Sequence, residues 1–150
     1  MGRAFLFVLL LLLVPAAPAD DDPRRSGPHP VQIDHPLVRL LPPGQPHTAA
    51  FMVLRNTGGR DLALIGAESA VSRAAELHDH KMVDGMMRMR EVGQIALPAG
   101  TRTALEPGGL HVMLIDLHEP LRAGQRVPIT LVFDDAPRLE LHAPVRHPGD

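Results

Sequence analysis

Residues 49–67 read AAFMVLRNTGGRDLALIGA, and this stretch decides the fold. Two apolar runs, Ala49 to Arg55 and Leu62 to Ala67, are each too short for a stable helix and are separated by a cluster of Asn, Thr, Gly, Arg and Asp. Such spacing describes two strands joined by a turn.

The same rhythm continues outward in both directions. Val31 to Leu40 precedes it, and Ala75 to His80, Met86 to Val92, Thr101 to Leu105, Leu110 to Leu117, Arg126 to Phe133 and Leu139 to Ala143 follow at close to ten-residue intervals. Between them stand Asn56-Thr57-Gly58-Gly59, Asp84-Gly85, Pro98-Ala99-Gly100, Pro107-Gly108-Gly109 and Ala123-Gly124, residues suited to a fixed bend or a positive φ. Asp84-Gly85 between Val83 and Met86 is the strongest hairpin signal. Helical periodicity is absent, and most of the 16 prolines fall between the runs, where they cost little. Pro36 and Pro128 fall inside runs and call for an edge strand or a bulge. The expectation is an all-β sandwich or barrel occupying residues 31–143, with a flexible polar lead-in at 20–30 and a flexible tail at 144–150.

The N-terminal end has a different character. Met1-Gly2-Arg3 is a short positive start, Ala4 to Val14 is unbroken apolar sequence with five consecutive leucines, and Ala17-Pro18-Ala19 offers a small-residue cleavage site. The run falls short of the roughly twenty apolar residues a spanning helix needs, so residues 1–19 read as a removable signal peptide and the destination as the periplasm. The protein is expected to stay out of the membrane after processing and to be a monomer. Of 15 basic and 17 acidic side chains, removal of residues 1–19 takes only Arg3, moving the net charge from −2 to −3. A nearly neutral surface, no Trp or Tyr, and four Phe of which two lie in the signal argue against nucleic-acid binding.

The chain has no cysteine. Disulfides and thioether lipid attachment are therefore excluded from the chain as given, and any soft-metal site must use Met sulfur and His nitrogen. These residues are unevenly placed. Met82, Met86, Met87 and Met89 fall close together after His78 and His80, and His111 stands two residues from Met113. In a strand, residues two apart share a face, so His111 and Met113 project together, as do His78 with His80 and Met87 with Met89. The glycine pair before Leu110 should expose His111 at the start of its strand. Two imidazoles and two thioethers drawn from this set would make a soft, neutral cage that suits Cu(I), whereas Mg, Ca and Mn want oxygen. Taken singly, a Met is as often a core filler as a ligand, the expected role of Met52. His29, His35, His47, His118, His142 and His147 carry the ordinary expectation of surface or structural histidines.

His78, ten residues, Met89, twenty-one residues, His111, one residue, Met113: this spacing resembles the H-x10-M-x21-H-x-M pattern of the PCuAC family of periplasmic copper chaperones. Glu76 to His80, Met87 to Arg90, Pro107 to Leu114 and Ala50 to Asn56 are similar to that family's blocks. The resemblance covers about residues 31 to 143. It implies a cupredoxin-like Greek-key β-sandwich and one solvent-near Cu(I) site made of His78, Met89, His111 and Met113, with Cu(II) as a further state. It also implies delivery of copper to a receiving protein such as a cytochrome oxidase CuA domain or a thiol-bearing assembly factor. The tail after Leu141 offers only His142 and His147 and no Met, unlike the His- and Met-rich extension of some relatives. No carboxylate and histidine set has catalytic spacing, so an enzyme is not expected. The alternative is a copper scavenging and tolerance protein with no dedicated recipient.

Overall fold

The structure is a computed structural model and describes residues 28–150; the expected signal peptide at 1–19 and most of the expected lead-in at 20–30 lie outside the described residues. Ten strands follow in order: β1 (Val31–Arg39), β2 (Thr48–Asn56), β3 (Leu62–Glu68), β4 (Ser72–Val83), β5 (Met86–Glu91), β6 (Ile95–Leu97), β7 (Arg102–Leu105), β8 (His111–Leu117), β9 (Arg126–Phe133) and β10 (Leu139–Arg146). No helix occurs among the described residues.

Hydrogen bonding links the strands in the order β5-β4-β8-β2-β1-β10-β9-β3-β6, with β7 beside β2. A single pair, Ala67 with Ala75, joins β3 back to β4 and closes the circuit into a barrel. All the pairings are antiparallel except β1 with β10, where Val38 meets Val145 and Arg39 meets Arg146. The all-β expectation holds, and the expected strand boundaries are close to those observed except at β4, which runs three residues past the expected Ala75 to His80 at each end.

Alternation along each strand fills the interior. Leu77, Val112 and Ala50 lie side by side across β4, β8 and β2 and are buried. Leu54, Leu64, Leu114, Ile129 and Leu131 are fully enclosed. Each such side chain contributes about 1.5–3 kcal/mol of apolar burial, so the closed barrel is the main source of stability.

Both awkward prolines have structural reasons. Pro36 sits where the β1–β2 register shifts between Asp34 and Leu37, beside His35 at φ 51°. Pro128 pairs with His142 of β10, while the β3–β9 ladder begins only at Thr130, so its missing N–H faces no partner strand. Asp84 and Gly85 have φ of 51° and 75° between the paired Val83 and Met86, the geometry of a two-residue hairpin turn whose twist matches its strands.

Three features differ from the sequence reading. The three-residue strand β6 is missing from it, because Ile95 to Leu97 is too short to show a period. β10 runs past the expected boundary at residue 143 to Arg146: Val145 is buried, and its N–H donates to the Gln125 carbonyl, so the first part of the expected tail is strand. The β2–β3 turn does not use positive φ at Gly58 or Gly59. Instead the buried Asn56 side chain donates to the carbonyls of Arg60 and Leu97, both at 2.8 Å, and accepts from the Gly58 N–H at 3.0 Å.

Candidate metal centre

β4 is the strand on which the site is built. Ala75 pairs with both Ala67 and Leu114, and His78 with both Glu91 and His111, so β8 lies on one edge and β3 then β5 on the other. Since Leu77 points into the barrel, Glu76, His78, His80 and Met82 point away from it. Directly paired residues share a face. Glu76 therefore faces Met113, His78 faces His111 and Glu91, His80 faces Met89, and Met82 faces Met87.

All four residues singled out by the spacing, His78, Met89, His111 and Met113, thus stand on one outer face. The ring centroids of His78 and His111 are 5.7 Å apart, and those of His80 and His111 are 5.2 Å apart. A cleft of about 200 Å³ opens on this face, and His80, Met89, His111 and Met113 are among its lining residues. Its walls are the β1–β2 connection, through Leu41, Gln45 and His47, and the β7–β8 turn, through Pro107 and Gly108. His78 stands behind the cleft rather than in its lining.

Hydrogen bonds fix which nitrogens are available. His111 Nδ1 lies 3.0 Å from the Gly109 carbonyl. A carbonyl can only accept, so Nδ1 carries the proton and the lone pair sits on Nε2. His78 Nε2 donates to the Glu76 carboxylate at 2.9 Å, which leaves the lone pair on Nδ1, a buried atom with no hydrogen-bond partner. A carboxylate behind a histidine in this way orients the ring and raises its basicity as a ligand. His80 Nδ1 is likewise buried and without a partner. Orphaned buried nitrogens are costly unless something unites them.

His111 is 1 % exposed, against the expectation that its glycine pair would expose it. Gly108, at φ 82°, does make the turn, but the returning strand tucks the ring between Phe51, 6.2 Å away, and the two histidines of β4. Access to the face comes through its thioethers: Met113 is half-buried and Met89 is 44 % exposed. Burial holds the His111 imidazole below its ordinary pKa of 6.5, the Gly109 carbonyl opposes this, and His80, His78 and Arg39 add to the lowering. The Arg39 guanidinium lies 5.1 Å from the Phe51 ring centroid and lines the cleft.

Sequence reasoning underrated His80, which lines the cleft and lies nearest to His111; its i, i+2 spacing from His78 was the available signal. Met52 is a core residue as expected. Met82, Met86 and Met87, by contrast, are not core fillers, being 65 %, 55 % and 53 % exposed. His29 is structural: Nδ1 accepts from the Val31 N–H, Nε2 donates to the Pro137 carbonyl, and its ring packs on Phe133. Among the described residues no three His, Cys, Asp or Glu side chains converge to hold an ion by themselves. The nitrogen and sulfur atoms gathered on this face make a soft donor set.

Comparison with known proteins finds copper-bound domains among the similar structures. The LpqE-like family model matches residues 31–145. The chain is 35% identical over 117 residues to Lxx21020 of Leifsonia xyli subsp. xyli, a protein whose name classes it with lipoproteins, covering 77% of this chain and 69% of that one. Among solved structures it is similar to the copper-bound PCuAC domain from PmoF2, with a TM-score of 0.67, 29% identity and coverage of 79% of this chain and 94% of the other. The Cu(I) form of DR1885 from Deinococcus radiodurans gives a TM-score of 0.60 at 31% identity, covering 83% and 85%. The apo form of DR1885 gives 0.63 at 30% identity, covering 99% and 98%. The expected cupredoxin-like architecture is the one these neighbours share.

Proposed function

The chain belongs to the LpqE-like family, whose solved relatives are PCuAC domains, and on that premise we propose that it is an exported copper chaperone holding one Cu(I) through His78, Met89, His111 and Met113. The observation that carries the reading is the β4–β8 register. It sets two imidazoles opposite one another, each with its remaining nitrogen tied down and a lone pair free, and sets Met113 beside them. Met89 lines the same cleft from β5.

Such a donor set favours the monovalent ion. Thioethers are soft and uncharged, so the bound copper keeps its single positive charge, and neither donor type demands a rigid geometry. A carrier must also let go. The exposed Met89 is the donor an incoming ligand can displace first, with Met113 next, while His111 stays buried at the back. A receiving protein bearing thiolates or further imidazoles, such as a cytochrome oxidase CuA domain or a thiol-bearing assembly factor, would take the ion by stepwise exchange. Four donors from one chain leave no open position for a substrate, so we assign no catalysis. The signal-like residues 1–19 and the lipoprotein name of a relative support export, and we assign the protein to the periplasm.

Anaerobic competition for Cu(I) with a chromogenic chelator tests the site. The wild-type chain should take one tightly held equivalent. His111→Ala and Met113→Leu should each weaken it by about tenfold or more, a loss of about 1.4 kcal/mol per decade. Undiminished affinity in both variants would move the site elsewhere. Transfer from the loaded protein to a soluble CuA domain tests delivery, and retention of copper in its presence would favour scavenging.

A further inference from the structure

The β4–β5 hairpin has two unlike faces. On the face away from the cleft, Asp79 pairs with Arg90, Lys81 with Arg88 and Val83 with Met86. On the cleft face the ladder reads His78 with Glu91, His80 with Met89, then Met82 with Met87. The outermost rung is therefore two thioethers set directly across from each other. Every residue of β5 is exposed, and Met82, Met86, Met87 and Met89 are four of the five exposed large hydrophobic side chains among the described residues. A solvated edge strand needs only charged and small polar groups, as the opposite face largely shows. Three of them, Met82, Met87 and Met89, share the cleft-side row, and apolar side chains held out in water together ask for a reason other than packing.

We propose that Met82 and Met87 form a second, outer Cu(I) site, one rung beyond His80 and Met89, through which copper enters and leaves the inner centre. Directly opposed side chains have their Cβ atoms about 4.5–5.5 Å apart, and diagonal neighbours lie within reach of long side chains. Two flexible thioethers can close on one ion from that separation, and Met89 lies on the diagonal from Met82, able to serve both rungs. The ion stays monovalent throughout, so passage is an exchange of neutral sulfur donors with no electron transferred and no proton moved. Two or three thioethers without imidazole bind more weakly than the inner set and are open to solvent, which is what a landing site requires. The inference rests on the inner site being a Cu(I) centre.

The test follows the methyl signals of ¹³C-labelled Met by NMR as the protein is titrated anaerobically with Cu(I). Met89 and Met113 should shift over the first equivalent, and Met82 and Met87 over a second, weaker phase. Met86, equally exposed but on the opposite face, and Met52 in the core should stay still. In the Met82→Leu/Met87→Leu double variant the first phase should persist, the second should vanish, and loading from a Cu(I) chelate should slow. Still signals from Met82 and Met87 in the presence of excess Cu(I), or shifts at Met86 that match theirs, would overturn the outer site while leaving the inner one intact. An unmoved Met113 beside shifting Met82 and Met87 would instead overturn the inner centre, and with it the outer rung's role as its entry point.

Discussion

At the scale of single residues, the behaviour of the centre turns on His111. Its burial, with the rings of His80 and His78 and the Arg39 guanidinium nearby, lowers its pKa from the usual 6.5. The folded copper-free protein therefore binds fewer protons than the unfolded chain below about pH 6.5. Its contribution to stability is fully present above that value and is lost as pH falls toward the lowered folded pKa. Thermal melts of the copper-free protein from about pH 7.5 to about pH 5 should fall more steeply for wild type than for His111→Asn. Arg39 acts on the same atoms by its charge. A fixed positive charge repels a divalent ion about twice as strongly as a monovalent one, so Arg39→Gln should raise Cu(II) affinity more than Cu(I) affinity. An equal rise for both ions would deny Arg39 that role. That the histidines and methionines of β4, β5 and β8 share one face was legible in the sequence because strand alternation needs no tertiary information, whereas the choice of four among them came from the family resemblance. The burial of His111 was not legible, because the rings that enclose it, Phe51 of β2 and His78 and His80 of β4, come from strands distant in sequence.

At the scale of elements, turn chemistry was readable where the turn residues do the work and unreadable where a side chain reaches across. Asp84-Gly85 is the first kind, since both residues adopt the positive φ that the dipeptide advertises. Gly85→Ala should cost about 1 kcal/mol and show as faster amide exchange in β4 and β5 beyond His80, with little change in the barrel. Asn56 is the second kind. It closes the β2–β3 turn by bonding Gly58 and Arg60 and ties it to β6 through the Leu97 carbonyl. Asn56→Ala leaves three backbone groups seeking partners, one of its bonds being fully buried, and should cost about 2–4 kcal/mol in denaturant unfolding. An effect below 1 kcal/mol would mean water replaces the side chain there. β6 itself escaped notice because three residues, Ile95 to Leu97, carry no period, and only its pairing with Leu62 to Leu64 makes it a strand.

For the molecule as a whole, the barrel explains how the proposed donors can be held still and yet remain reachable. Leu77, Val112 and Ala50 lock β4, β8 and β2 from inside, so the outer row one step along, His78 and His111, is positioned by the core and not by copper. Met89 rides on the exposed edge strand of the hairpin, where a proposed donor can yield. Closure depends on the parallel β1–β10 contact, where the buried Val38 meets the buried Val145 and the Leu40 N–H donates to Arg146. Ending the chain after Ala143 should therefore remove about 2–4 kcal/mol of stability, whereas ending it after Arg146 should be nearly neutral in the same unfolding experiment. X-ray absorption at the copper edge of the Cu(I)-loaded protein probes the centre with no substitution at all. A first shell of two nitrogens and two sulfurs is expected, falling to one sulfur in Met113→Leu. A shell made only of nitrogen and oxygen would be incompatible with copper held between β4, β5 and β8.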